Sequence, residues 1–367
     1  EDYVRSVASP EDEINDELLN SEDQVDFLIK GVQAEFSDVV EFSVILPDLL
    51  GDQFFFDTDV PNATYPSFEE IDKAEILRDN NSVDTYWSRV GTLRFLADDL
   101  VDRAMNRISW SSDAKKNEAL FWGYLLGGYA RYLYAVHWGL HETEPGGVID
   151  GGPFVQQSEM LALAREKFNA ALQVAPDAYW TRVVNSLLAK TYIVVNDYTN
   201  AATYAANGMV AGDAPFEALY NDVDDNYVWQ QGGRLRTQVV VDPRFEAYIT
   251  ADPNEANRIQ IEAITGNSGA TYWRQIRYPE AGSPIPVMTW QENNLMLAEI
   301  ALNGGTGDPV ALVNEVRASH GLSALAAVDM NVLIEERDKE LFVTGNRVID
   351  QNRFNLPFTS PSVATMG

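Results

Sequence analysis

Two stretches, LALAREKFNAALQVAPDA from residue 161 and LLAKTYIVVNDYTNAATYAANGM from residue 187, repeat one pattern, and the repeat limits the fold more than any other feature of the chain. In the first, Ala164, Phe168 and Ala171 recur at helical spacing, and Pro176 follows where a helix must stop. In the second, Leu188, Ala189 and Tyr192 lead into a turn at Asn196-Asp197-Tyr198, after which Ala201, Ala205 and Gly208 continue the scheme. Small residues at these positions let neighbouring helices touch. A unit of this kind cannot bury its apolar face alone, so successive units must stack into one continuous core.

The offsets resemble those of tetratricopeptide repeats, whose period is about 34 residues; the step from Ala164 to Ala201 is 37, one period plus a longer loop. A third unit is expected at NLMLAEIALNGGTGDPVALVNEVRASHGL (294 to 322), two helical runs joined by a Gly-rich turn, with Pro309 opening the second. ALFWGYLLGGYARYLYAV (119 to 136) supplies the first half of a fourth. That stretch is long enough to span a bilayer, but Arg131 near its middle marks it as a buried core helix. The fold class expected is mainly α: one domain over 1 to 367, with a helical-hairpin scaffold at 27 to 212 and 290 to 354.

Between these parts, residues 213 to 289 are rich in Pro, Gly, Asp and Asn and lose helical periodicity. This segment is expected to be a loop-rich insertion with a few short β strands, one of them in QVVVDPRFEAYI (238 to 249). An earlier loop, GDQFFFDTDVPNATYPSF (51 to 68), combines turn residues with Phe54, Phe55, Phe56 and Tyr65. Aromatics on loops either pin the loop to the core or face a ligand. Chosen by composition, the candidate ligand-binding residues are Phe56, Asn62 and Tyr65 from the first loop. From the insertion come Tyr227, Trp229, Gln230, Tyr272, Trp273 and Arg274.

Charge narrows the partners. Twenty-six Lys plus Arg against 56 Asp plus Glu give a formal net charge of -30, spread along the chain, which weighs against binding nucleic acid and suits a saline medium. With no Cys there is no disulfide frame and no thiolate nucleophile. His137 and His141 stand four apart without an HExxH pattern, and NDVDDNY (221 to 227) lacks the Gly and Glu that a calcium loop requires, so no metal or cofactor is expected. GGTGDP (304 to 309) lacks the Lys-Ser/Thr of a phosphate loop, and no GxSxG elbow occurs. Nothing singles out a carboxylate pair for glycoside hydrolysis.

The segment LIEERDKELFVTGNRVIDQNRF (333 to 354) is the densest mixture of acids and bases in the C-terminal part. A helix over 331 to 344 would pair Glu335 with Lys339, bury Leu333, Ile334, Leu341 and Phe342, and end at Gly345 as its C-cap. Arg between carboxylates is suited to a fixed, partly buried ion network, so a structural role is expected rather than acid-base chemistry.

Several motifs in this region, in order, resemble the SusD-like (RagB-like) outer-membrane nutrient-binding lipoproteins. Glu336-Arg337, Glu340-Leu341, Gly345-Asn346-Arg347 and the run from Asp350 to Arg353 are similar to that family's C-terminal signature. LMLAEIAL (295 to 302) and LVNEVRASHGL (312 to 322) are similar to its AEA helix and N-x-V-R segment; VDPRF (241 to 245) and RYPEAGSPIPVMTWQENNLMLAE are similar to the motifs upstream. The resemblance implies a tetratricopeptide-like helical fold with a loop-rich insertion. It also implies a non-catalytic protein at the cell surface that binds oligosaccharide or another nutrient and delivers it to a SusC-like TonB-dependent transporter. Membrane contact would come through an N-terminal lipid anchor, which is absent from this chain. A helical-repeat adaptor with no small-ligand site, or a glycoside hydrolase, would be the alternatives. The family fixes no site motif, so the ligand residues rest on aromatic composition.

Overall fold

A computed structural model describes residues 16–138 and 155–358. The chain opens with a long helix, α1 (Val25–Leu50), followed by β1 (Phe54–Phe55), α2 (Pro66–Asp72), α3 (Asn81–Asp102) and α4 (Asp113–His137). Then come α5 (Gln157–Gln173), α6 (Ala178–Ile193) and α7 (Tyr198–Ala205). The insertion holds β2 (Phe216–Ala218), α8 (Tyr227–Gly232), β3 (Val240–Val241), α9 (Pro243–Ala251), β4 (Ile261–Thr265), β5 (Thr271–Gln275) and β6 (Ile285–Met288). Helices α10 (Trp290–Leu302), α11 (Pro309–Ser319), α12 (Met330–Glu340) and α13 (Arg347–Phe354) complete the order. The mainly α reading holds, with the six described strands forming three two-stranded antiparallel pairs, β1 with β3, β2 with β6 and β4 with β5.

The repeat folds as its spacing predicts. Helix α4 packs on α5, α6 on α7 and α10 on α11, while α7 and α10 join the units. Ala164, Phe168, Ala171, Ala201 and Ala205 are all fully buried. Gly128 is there for close approach: a Cβ at that position would lie 2.8 Å from the Phe168 ring of the neighbouring helix. Caps set the helix starts. Asp177 accepts from the Trp180 amide at 3.0 Å to open α6, and Asp308 with Pro309 opens α11. Arg131 remains inside by bonding Asp98 of α3 at 2.7 Å, which Lys167 of α5 also reaches at 2.7 Å. No helix among the described residues is long and apolar enough to cross a membrane.

Helix α1 is the spine. One side carries Ile29, Val32, Phe36, Val40 and Val44, all buried, and α3, α4, α8 and α13 pack around it.

One local expectation holds, with a strand of two residues, and one fails. In QVVVDPRFEAYI only Val240–Val241 is strand; Asp242 caps the next turn by accepting from the Arg244 amide at 2.9 Å, and Pro243 opens α9. Pro at the first helical position, with its fixed φ and no N–H to leave unpaired, outweighs the β-branched run before it. At the C-terminus α12 stops at Glu340, not 344, and Gly345 is no cap. It sits in a turn with φ +76, where a Cβ would stand 2.1 Å from the Ser43 carbonyl oxygen of α1. The turn that follows α12 thus lies directly against the spine.

The charged signature is a buried frame. Glu335 bonds Lys339 at 2.6 Å as expected, and the remaining charges pair both within the segment and with distant elements. Arg337 holds Asp350 through two bonds of 2.8 and 2.9 Å, and Arg353 holds Glu299 of α10 at 2.6 and 3.1 Å while also reaching Asp350 at 2.9 Å. Arg258 bridges Glu255 and Glu336; Arg244 clamps Asp338 at 2.9 and 3.0 Å. These bonds tie α9, α10, α12 and α13 together by geometry, with Asp350, Glu299, Glu255, Glu336 and Asp338 each bonded by a forked guanidinium.

Candidate functional site

The first loop and the insertion, far apart in sequence, meet in space. Strand pairing begins it: Phe54 lies opposite Val241 and Phe55 opposite Val240. Gln238 then fastens the loop, its side-chain oxygen accepting from the Thr64 and Tyr65 amides at 2.8 and 3.1 Å and its nitrogen donating to the Asn62 carbonyl. The Asp59 carboxylate accepts from the amide and hydroxyl of Ser268, each at 2.7 Å, and the Tyr272 hydroxyl donates to Asp57 at 2.8 Å. Arg236 donates to the Tyr65 hydroxyl at 2.7 Å, with its guanidinium 4.8 Å from the ring centroid. Asn62 is exposed and Tyr65 and Tyr272 are half-buried, so these groups form an aromatic and polar face.

The elements sort the candidate residues. On β5, successive side chains point to opposite faces, so Tyr272 and Arg274 share one side and Trp273 takes the other. Arg274 bonds Glu262 on β4 at 2.7 Å, and Arg234 bonds the same carboxylate at 3.0 Å. Helix α8, capped by Asn226, separates Tyr227 from Trp229, since residues two apart do not face each other on a helix. Tyr227 stacks on Phe42 of α1 at 5.0 Å, and its amide donates to buried Glu41 at 2.8 Å. Gln230 lies on the Tyr227 side and accepts from Gln231. Phe56 is a correction: only 6% exposed, it belongs to the core with Phe54 and Phe55 and offers no ligand platform. A second correction is that Tyr227, Trp229 and Gln230 stand on a helix and Tyr272 to Arg274 on a strand, not on irregular loop. An Asn cap and a cross-strand Glu262–Arg274 pair order those stretches.

Electrostatics at the face favour ionised acids. Hydrogen bonds from Ser268 hold the Asp59 carboxyl below the usual carboxylate range, and bonds from Arg234 and Arg274 do the same for Glu262. Neither is held as a proton donor. Arg236, Asp57, Asp59 and Gln238 escaped the sequence reading because their roles depend on partners some 170 to 215 positions away.

Sequence reading also missed a groove. An open cavity of about 450 Å³ lies between α1, α4, α6 and β2. Trp122 of α4 and Tyr179 and Trp180 of α6 form its aromatic wall, with the Trp180 ring edge-on to Trp122 at 5.0 Å and to Phe216 at 5.6 Å. Gln33 and Glu217 border it, and burial pushes the Glu217 carboxyl up. Glu217 and Pro215 also line a second, more polar cavity of about 330 Å³ towards Arg277, Thr289 and Gln291. A Tyr-Trp pair in the first turn of a helix, beside its Asp cap, was the available signal. His141 lies outside the described residues; His137 is half-buried and hydrogen-bonded to the Tyr86 hydroxyl at 2.7 Å.

No family model and no curated protein matches the sequence. Solved structures do match. A SusD superfamily protein from Bacteroides thetaiotaomicron aligns over 93% of this chain and 90% of its own, with TM-score 0.78 and 14% identity. A SusD superfamily protein from Bacteroides vulgatus aligns over 91% and 88%, with TM-score 0.75 and 16% identity. A laminarin-binding SusD-like protein aligns over 91% of both chains, with TM-score 0.70 and 15% identity. At such identity the likeness is one of fold, and it covers scaffold and insertion together; the fold of this chain is that of the SusD superfamily.

Proposed function

We propose that the protein is a non-catalytic binder of oligosaccharide, with its ligand taken on the face built from the first loop and the insertion. The observation that supports the reading is the fastening of the first loop to the insertion by side-chain bonds between segments distant in sequence, Arg236 to Tyr65, Tyr272 to Asp57 and Ser268 to Asp59, with Asn62 and Arg274 beside them in the chain. The apolar face of a sugar stacks on Tyr or Trp, and fixed amides, guanidinia and carboxylates orient its hydroxyls. A laminarin-binding protein of the same fold supports the ligand class. A glycosidase needs one carboxylic acid kept protonated, and the depressed acids of this face, Asp59 and Glu262, are unsuited to that task. Delivery to a SusC-like TonB-dependent transporter from a lipid-anchored position on the outer membrane completes the proposal, on the strength of the C-terminal motifs.

Calorimetric titration with neutral and charged oligosaccharides and a peptide control tests it. Tyr65→Ala and Tyr272→Ala should each weaken binding about tenfold or more, while Trp273→Ala, on the other side of β5, should do less. Silence across all the oligosaccharides, or binding indifferent to both Tyr changes, refutes the reading. Silence together with capture of the transporter would favour the adaptor.

A further inference from the structure

We infer that the aromatic groove between α1, α4, α6 and β2 is a second binding site on the same chain, and that it takes a neutral oligosaccharide segment. The inference rests on the proposed ligand class but on a different part of the molecule. Trp122, Tyr179 and Trp180 are half-buried, so part of each ring remains open to solvent along the groove. Core packing alone does not call for three large amphipathic rings at one opening, and Tyr and Trp supply flat contact area at small entropic cost.

The rim is polar where a sugar would need it. Gln33 brings an amide donor and acceptor from α1, and Glu217 brings a partly desolvated carboxyl from β2. The Tyr179 hydroxyl, already donating to the Pro215 carbonyl at 3.3 Å, retains acceptor capacity. Charge decides against an anionic ligand: Glu217 stands at the wall, Arg182 is taken by Asp213 in a bond of 2.7 Å, Arg277 of the adjoining cavity donates to the Phe342 carbonyl at 2.7 Å, and the whole chain carries -30. Both cavities, about 450 and 330 Å³, are of the size of small-molecule sites, and sharing Pro215 and Glu217 makes them neighbours along one chain of sugars.

The groove shares a support, helix α1, with Tyr227 of the insertion, and none of its residues with the proposed face. Gln33 and Ser37 of α1 border the groove, and Phe42, an axial rise of about 7.5 Å beyond Ser37, stacks on Tyr227. A polymer held at both places would gain by effective concentration.

Titration of the full chain with laminarin and xyloglucan oligosaccharides, and with uronate-containing oligosaccharides as anionic controls, tests the inference. Trp180→Ala and Trp122→Ala should weaken binding of a neutral oligosaccharide about tenfold and lower the stoichiometry, in a background of intact Tyr65 and Tyr272. Where urea unfolding shows that Trp180→Ala has lost its fold, Gln33→Ala with Glu217→Ala reads the groove instead, with a loss of about threefold or more expected. Neutral binding that falls with the Tyr65 and Tyr272 changes but ignores all four groove changes overturns the second site and leaves the first. A preference of the groove for the uronates, or silence of every neutral oligosaccharide, overturns it too, the latter together with the proposed function.

Discussion

Gly345 offers the sharpest test of how the C-terminal signature is seated. Replacing it with Ala forces a side chain onto a residue at φ +76, a strain of roughly 1 to 2 kcal/mol for an L residue. The larger effect is steric. The new Cβ would lie 2.1 Å from the Ser43 carbonyl oxygen, against about 3.4 Å for ordinary contact, so the turn and α1 must separate by about 1.3 Å (3.4 minus 2.1). The obstacle is backbone in the middle of the longest helix and cannot rotate away. Forcing such an overlap costs about 1 to 3 kcal/mol. Separation also stretches the 2.9 Å bond from the Gly345 amide to Asp48, worth about 1 kcal/mol. The sum is about 3 to 6 kcal/mol. Gly304→Ala is the control: its φ is +90 with nothing within 4 Å of the added carbon, so only the conformational strain applies. Urea unfolding followed by tryptophan fluorescence and far-ultraviolet dichroism, compared at equal m-values, should place Gly345→Ala at least about 2 kcal/mol below Gly304→Ala. If the two variants unfold together, the close approach of turn and spine is refuted.

Asp350 and Asp48 make two further predictions, of opposite sign in pH. Asp350 is pulled down to about 2, with Arg337 and Arg353 overcoming the effect of burial; its folded value lies below its unfolded one, so its contribution is present above about pH 4 and lost as pH falls towards 2. Asp350→Asn, which leaves Arg337 without its carboxylate, should destabilise by about 3 to 5 kcal/mol at pH 7, read as a lower unfolding midpoint, and by much less at pH 2.5. A pH-independent deficit would contradict the ion-pair reading. Asp48 is pushed up to about 8 by burial; the folded state keeps its proton after the unfolded state has released it, so stability declines as pH rises from about 4 to 8. Asp48→Asn, whose amide mimics the neutral acid, should therefore gain on the wild type by a few kcal/mol between pH 5 and 8.5, and thermal unfolding at those two values checks it.

Much of the scaffold was legible in the chain because it is local. Ala164, Phe168, Ala171, Ala201 and Ala205 state a helical period in their own spacing, and the Pro and Asp caps mark where each helix begins or ends. The charges of 333 to 354 were legible as a frame, since Arg among carboxylates with an apolar face has few other uses. Their partners were not: Glu299, Arg258 and Arg244 lie up to about 95 positions away and are chosen by how the helices stack. The same limit applied to Phe56, whose composition fits platform and core equally until β1 pairs with β3 and turns it inward. Sequence determined the helices, the acidic surface and the kind of aromatic and polar groups available for binding. Tertiary structure alone decided which of them share a surface, because a side chain's neighbours across a gap of 170 residues depend on the path of the whole backbone. That is why Tyr65 meets Arg236, and why Trp122 of one helix and Trp180 of another border a single groove.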